Sequence, residues 1–271
     1  MNYRIIDAHA HIFPQKIAEK AVESIGNFYD LEMHKKGTAE ALLESGKTIG
    51  VEKYLVCSTA TRPEQVMAIN DFIYEECRLH PEFVGFATLH PDFPDLEGEM
   101  ERILKRGYYG IKLHPDFQRF NIDSPKAMEI YRLAEGKLAV LFHTGDARYD
   151  FSRPSRLAKV SEKFPNLLCI AAHFGGYQCW EEAYNTYENP NIYMDTCSSL
   201  FAIEPDTVNR FLEKFGPERF FFGTDFPMWS HDKELERFEK LGLPEDVKKE
   251  ILYDNFDRAV IRANPRGGMI F

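Results

Sequence analysis

The chain is short of the features that mark several common protein classes. Cysteine occurs at five positions in 271 residues, Cys57, Cys77, Cys169, Cys179 and Cys197, and no Cys-x-x-Cys pair is present. An odd, scattered set of this kind suggests neither a disulfide framework nor a zinc knuckle, so buried reduced thiols are expected. No apolar run nears the roughly 20 residues that a membrane span needs, and no basic segment precedes a long apolar stretch at the N-terminus. The expectation is a soluble, cytoplasmic protein with no membrane partner. Basic residues are outnumbered, 33 against 43 acidic, for a formal net charge of −10. Phosphate backbones are bound by clustered Lys and Arg, so nucleic acid is not expected as a partner. Repeats of 20–50 residues, low-complexity tracts and Gly/Ser linkers are also missing.

What is present is a rhythm of apolar runs at 3–8, 53–58, 83–88, 110–114, 139–143, 168–172, 192–195 and 220–223. After the second they recur about every 24–30 residues, the length of one strand-plus-helix unit. Most are continuous rather than alternating, as in Ala139-Val140-Leu141-Phe142, which fits parallel strands covered on both faces. Thr61-Arg62-Pro63-Glu64 reads as a capping box opening a helix to about Arg78, and Ser124-Pro125 as N-cap and N1 of another. No Gly-x-Gly-x-x-Gly follows the first run, which removes the usual reason for an open dinucleotide-binding sheet. The fold class predicted is α/β, a (β/α)8 TIM barrel forming a single domain over 1–271. An insertion at about 12–37 would stand over the active-site mouth.

Five of these runs end in groups that bind metals or move protons: Asp7-Ala8-His9-Ala10-His11, Lys112-Leu113-His114, His143-Thr144-Gly145, His173-Phe174-Gly175-Gly176 and Gly223-Thr224-Asp225. In a parallel barrel the C-terminal strand ends converge on one mouth, so residues this far apart can meet around one ion. His9 and His11, two apart on a strand, face the same way. Asp7 would share that face one step deeper and orient a ligand. Asp225 follows a very apolar strand, where an unpartnered carboxylate would be costly, so a metal or a catalytic proton is its natural partner. His143 and His173 each could pass alone as a structural histidine. The glycines after His173 would let backbone approach a substrate. Arg62, Arg119 and Arg148 fall on loops at the same mouth and would suit a substrate carboxylate. Tyr149, Trp180 and Trp229 could wall the pocket, and His90 could touch substrate; His34, His80 and His231 lack the strand-end pattern.

Together these motifs resemble the amidohydrolase superfamily, in particular the amidohydrolase-related group that includes aminocarboxymuconate semialdehyde and resorcylate-type decarboxylases. The likeness runs from Ile6-Asp7-Ala8-His9-Ala10-His11 to Gly223-Thr224-Asp225-Phe226-Pro227 and the tail Ile251-Leu252-Tyr253-Asp254-Asn255-Phe256. It implies one divalent metal, Zn²⁺ first and Mn²⁺ second, held by His9, His11, His143 and Asp225 with a water in the open position. His173 would contact that water or the substrate, and Asp225 would move the proton. Gly110-Ile111-Lys112-Leu113-His114-Pro115 also resembles the segment in which dihydroorotase-like members carboxylate a lysine to bridge two metals. On that alternative Lys112, His114 and His173 belong to a second-metal or substrate site. Otherwise Lys112 is an ordinary cation facing an anionic group.

The activity expected first is metal-dependent hydrolysis of a small, carboxylate-bearing molecule by a metal-activated water, since bound Zn²⁺ lowers the pKa of its water to roughly 7. The alternative is a non-oxidative, metal-dependent decarboxylase built on the same ligands. A phosphoesterase with the Asp-x-His-x-His opening is disfavoured because Phe226-Pro227, not histidine, follows Asp225. A non-catalytic binding barrel is disfavoured because no ligand position is lost. The resemblance is also compatible with a homodimer.

Overall fold

A computed structural model describes residues 3–33, 35–264 and 267. Eight strands, β1 (Ile5–His11), β2 (Val51–Cys57), β3 (Phe83–Thr88), β4 (Gly110–Leu113), β5 (Ala139–Phe142), β6 (Cys169–Ala171), β7 (Ile192–Asp195) and β8 (Phe220–Phe221), pair in chain order. All these pairings are parallel. The first and last strands meet as well. Ala8 N donates to Phe222 O at 2.8 Å, His11 N to Phe226 O at 2.7 Å, and Ala10 bridges Phe226 in parallel. This is the TIM barrel that the run spacing predicts.

The helices follow as α1 (Ala18–Tyr29), α2 (Ala39–Lys47), α3 (Val66–Leu79), α4 (Leu96–Lys105), α5 (Pro115–Gln118), α6 (Pro125–Ala134), α7 (Pro154–Lys163), α8 (Trp180–Thr186), α9 (Pro205–Phe215), α10 (His231–Glu239) and α11 (Glu245–Lys249). Among the described residues no helix is long and apolar enough to cross a membrane. Their packing follows sequence rules. In α9, Val208, Phe211 and Phe215 recur at helical spacing, and all three are buried. Ser124 caps α6 with Pro125 at N1 as read. The box before α3 differs: its N-cap is Arg62, and Gln65 rather than Glu64 closes it, accepting from Arg62 N at 3.0 Å. Pro63–Gln65 then forms a 3₁₀ turn before the α-helix begins.

Two packed layers result. Ile6, Ala8, Leu55, Val84, Phe86, Leu141, Ile170 and Phe221 fill the barrel, while a larger cluster including Ile5, Ala10, Val56 and Phe142 lies between barrel and helices. The register of β1 against β2 shifts between Asp7 and Ala10, a bulge that spends one extra residue on β1. This corrects the expectation for Asp7. Its carboxylate turns to the helix layer, 3.0 Å from His231 Nε2 on α10, and accepts from Thr224 Oγ1 at 2.6 Å and Thr224 N at 3.0 Å. It fastens β1 to the segment after β8. His9 and His11, past the bulge, keep a common face.

Candidate metal centre

His9 is fixed from behind. Its Nδ1 donates to Asp195 Oδ2 at 2.8 Å, and because an ionised carboxylate only accepts, the Nε2 lone pair is left facing the barrel mouth. His9 Nε2 stands 3.8 Å and His11 Nε2 3.3 Å from Asp225 Oδ1. The three ligand atoms lie within 4.8 Å of one another. Tetrahedral ligands about 2.0–2.1 Å from an ion sit roughly 3.3 Å apart, so two imidazoles and a carboxylate here have the spacing and chemistry to hold a divalent cation. Burial raises the Asp225 carboxyl, but the hydrogen bond to His11 and the nearby His9 and His173 outweigh it and hold the group well below the usual carboxylate range. Burial, with Lys112 beside it, lowers His9, so the imidazole stays neutral and able to ligate.

The backbone is bent to present these groups. His173 (φ 61°) and Asp225 (φ 56°) both take the left-handed conformation, which costs a non-glycine residue roughly 1 kcal/mol or more. Each is held there by a hydrogen bond. His173 N donates to Asp195 Oδ1 at 2.9 Å, and Asp225 N to His9 O at 2.8 Å. Ser198 Oγ donates to Asp225 Oδ2 at 2.6 Å and accepts from Trp229 Nε1 at 3.0 Å, which fixes the second carboxylate oxygen.

His143 belongs to a neighbouring group. Its Nδ1 is 2.8 Å from His173 Nε2, and its Nε2 is 3.5 Å from Asp116 Oδ2. His114, Asp116 and His143 form a second cluster with ligand atoms within 4.8 Å. His143 Nε2 and Asp116 Oδ1 are buried without a hydrogen-bond partner, a costly state unless something is bound between them. Burial pushes the Asp116 carboxyl up to about 7. The close pass of Gly145 makes this pairing possible. At φ 83° its added Cβ would sit 2.4 Å from the Tyr177 backbone, and the bridge between the two residues ties the loops after β5 and β6 together.

Lys112 is buried, with Nζ 3.0 Å from His9 Nε2, in the middle of the site rather than at its rim. His114 stacks between Phe117 and His143, with centroids 3.7 and 3.9 Å away. The arginines divide. Arg119 lines the cavity. Arg148 is spent on Asp146, at 2.7 Å, and on Phe28 O, at 2.7 Å. Arg62 is outside the lining, as are His90, Trp180 and Trp229, whereas Tyr149 is part of it. His90 Nδ1 instead accepts from Asp92 N at 3.1 Å. Nor do Gly175 and Gly176 meet the cavity. They give room to Met194 and Pro154. His34 lies outside the described residues.

Three residues escape a reading by strand-end histidines. Asp195 ends β7 after Ile192-Tyr193-Met194, the same acid-after-apolar-run signal as Asp225, but no histidine beside it draws the eye. Cys197 Sγ donates to Asp195 Oδ1 at 3.0 Å and lies 3.2 Å from His9 Nδ1 and 3.3 Å from His173 Nδ1. Tyr29 reaches in from α1, its hydroxyl 3.1 Å from His114 Nε2, and no local sequence signal points to it.

Above His9, His11 and Asp225 opens a cavity of about 1160 Å³. Its floor carries His9, His11, Lys112, His143, His173 and Asp225, and its walls are largely apolar, with Phe13, Ile25, Ile69, Phe72, Phe117 and Phe151 among them. The amidohydrolase family profile matches residues 6–258 of this barrel. The chain belongs to the amidohydrolase family. As an amidohydrolase it is an enzyme. No curated protein matches it. Among solved structures, this amidohydrolase is similar in fold to 5-carboxyvanillate decarboxylase from Sphingomonas paucimobilis (14% identity, 96% of this chain and 99% of that one, TM-score 0.70). It is also similar to a dihydroxybenzoic acid decarboxylase from Polaromonas sp. JS666 with bound manganese and 2-nitroresorcinol (15% identity, 100% of both chains, TM-score 0.74). An uncharacterized TIM-barrel protein from Bordetella bronchiseptica matches at TM-score 0.76, with 18% identity over 96% of this chain and 99% of that one.

Proposed function

We propose that this amidohydrolase is a non-oxidative decarboxylase of aromatic or unsaturated carboxylic acids that uses one divalent cation, Mn²⁺ or Zn²⁺. The observation that carries the reading is the His9–His11–Asp225 group at the floor of a cavity whose walls are apolar and whose floor holds the buried cation Lys112. Such a site suits a ligand with an anionic head and an apolar body. The likeness in fold to carboxyvanillate and dihydroxybenzoate decarboxylases agrees. It moves decarboxylation ahead of the hydrolysis expected from the sequence.

His9, His11 and Asp225 would hold the metal, with His143 as the fourth candidate ligand; the bound ion would supply Lewis-acid polarisation of the substrate's oxygens. Lys112 and Arg119 neutralise the carboxylate on entry. Asp225, held ionised, takes the proton of a substrate hydroxyl and delivers it to the carbon bearing the carboxylate. The bond from that carbon to the carboxylate then breaks, its electron pair returns to the ring, and CO2 leaves. His173 orients the carboxylate. Residues 12–37 act as a cover that excludes water, within one domain that works in the cytoplasm as a homodimer.

One observation favours a second reading. Lys112 Nζ lies 3.0 Å from His9 Nε2, close enough for a carboxylated lysine to share the site with two ions, as in binuclear hydrolases. A single comparison separates the two. Tag-free protein reconstituted with Mn²⁺ or Zn²⁺ is offered 2,6-dihydroxybenzoate, 5-carboxyvanillate and a panel of aryl esters and lactones. Metal-dependent CO2 release with one ion per chain supports decarboxylation, whereas ester or lactone cleavage without CO2 overturns it.

A further inference from the structure

The residues after β1 contribute more than a cover. Arg148 binds the end of α1 from the loop after β5. Its guanidinium donates to Phe28 O at 2.7 Å and lies over the rings of Phe28, Tyr29 and Tyr149, with centroids at 4.6, 5.5 and 5.3 Å. Asp146, bidentate on the same guanidinium, keeps Arg148 in that pose. The result is a fixed position for Tyr29, whose ring packs on Tyr177 and whose hydroxyl enters the cavity beside His114.

The direction of that hydroxyl follows from proton counting. His114 Nδ1 accepts from Phe117 N at 3.3 Å, because His114 serves as the N-cap of α5. An Nδ1 that accepts from a backbone N–H carries no proton, so the one ring proton of His114 resides on Nε2. His114 Nε2 therefore donates to the Tyr29 oxygen at 3.1 Å, and the Tyr29 proton is left to point elsewhere. Among the described residues the Tyr29 hydroxyl donates to no acceptor. A phenol titrates at about 10, so the proton stays in place at neutral pH.

We propose that Tyr29 is a substrate-binding residue whose hydroxyl, oriented by His114 and anchored by Arg148, donates a hydrogen bond to the anionic group of the ligand. The inference rests on an anionic substrate, as argued above, and not on the loss of CO2. It assigns Arg148 an anchoring task on α1 in place of direct contact with a carboxylate. It also makes α1 the element that reads substrate charge, since a hydroxyl that accepts from His114 still has its own proton to donate toward the cavity.

The test is calorimetric binding of 2,6-dihydroxybenzoate and of neutral resorcinol to Mn²⁺-loaded wild type and Tyr29→Phe. A lost charge-assisted hydrogen bond should weaken the acid roughly 10-fold or more while resorcinol and metal content are unchanged. Arg148→Gln, which keeps the hydroxyl but removes its anchor, should weaken the acid by a smaller factor. Equal affinity of Tyr29→Phe and wild type for the acid overturns the proposal, and so does an equal loss for acid and resorcinol, which marks a packing role. Failure of wild type to bind the acid overturns it too. CO2 release, measured in parallel, reports separately on the decarboxylase reading.

Discussion

The carboxylate of Asp195 lies 2.8 Å from His9 Nδ1, and through its other oxygen it also accepts from the backbone N–H of His173. One buried acid thus sets the tautomer of His9 on β1 and the strained backbone of His173 after β6. Asp195→Asn should preserve the fold yet lower metal affinity about 10–100-fold, the usual effect of removing a carboxylate behind a ligating histidine. A competition titration against a chelating dye reads this directly, and unchanged affinity would show that Asp195 is structural only.

His11→Ala removes one of the three clustered ligands, so metal content and turnover should fall together. Asp225→Asn keeps an oxygen donor but loses the charge proposed to carry the proton, so it should retain more metal than activity. Equal losses in Asp225→Asn would reduce that residue to a ligand. Plasma mass spectrometry beside CO2 release gives both quantities.

Lys112→Ala separates one ion from two. With a single ion, the variant should keep about one metal per chain and lose substrate affinity, since the side chain proposed to face the anionic group is gone. Loss of half the metal would instead revive the carboxylated-lysine arrangement.

Much of this site is legible in the sequence because barrel strands stop where their apolar runs stop. The observed β3 and β7 coincide with the runs at 83–88 and 192–195, and the histidines and Asp225 stand at or just past their strand ends. The bulge in β1 is not legible. Asp-Ala-His-Ala-His reads as plain alternation, and only pairing with β2 shows that Asp7 turns outward while His9 turns inward. The contacts of Arg148 with Phe28 and of Tyr29 with His114 are equally hidden, because the partners are 120 and 85 residues apart and no period links them. Local pattern reports which face a residue occupies; it is silent on which distant loop claims it.

The outward turn of Asp7 carries its own expectation. Removing a buried carboxylate that accepts from both Thr224 N and Thr224 Oγ1 leaves those donors unpaired, and Asp7→Ala should cost about 1–3 kcal/mol of stability. Urea unfolding measures it, and a change under about 1 kcal/mol would mean that the seam between β1 and β8 rests on its backbone bonds alone.

Acid stability offers a further check, at Glu234 on α10. Burial pushes this carboxyl up to about 7, against the pull of Arg237. A raised acid binds its proton more tightly in the folded state, so its contribution is full below about 4.5 and is lost as pH rises toward about 7. Glu234→Gln should therefore flatten the stability profile across that window. A profile of wild-type slope in the variant would rule Glu234 out as its source.

The seam has a consequence for how the enzyme comes into being. His9 and His11 emerge from the ribosome more than 200 residues ahead of Asp225, and the last strand reaches them only when the ring closes. A chain arrested at seven strands holds the histidine pair yet has no carboxylate to complete it. On the proposed site, the group of His9, His11 and Asp225 is therefore complete only once the ring has closed.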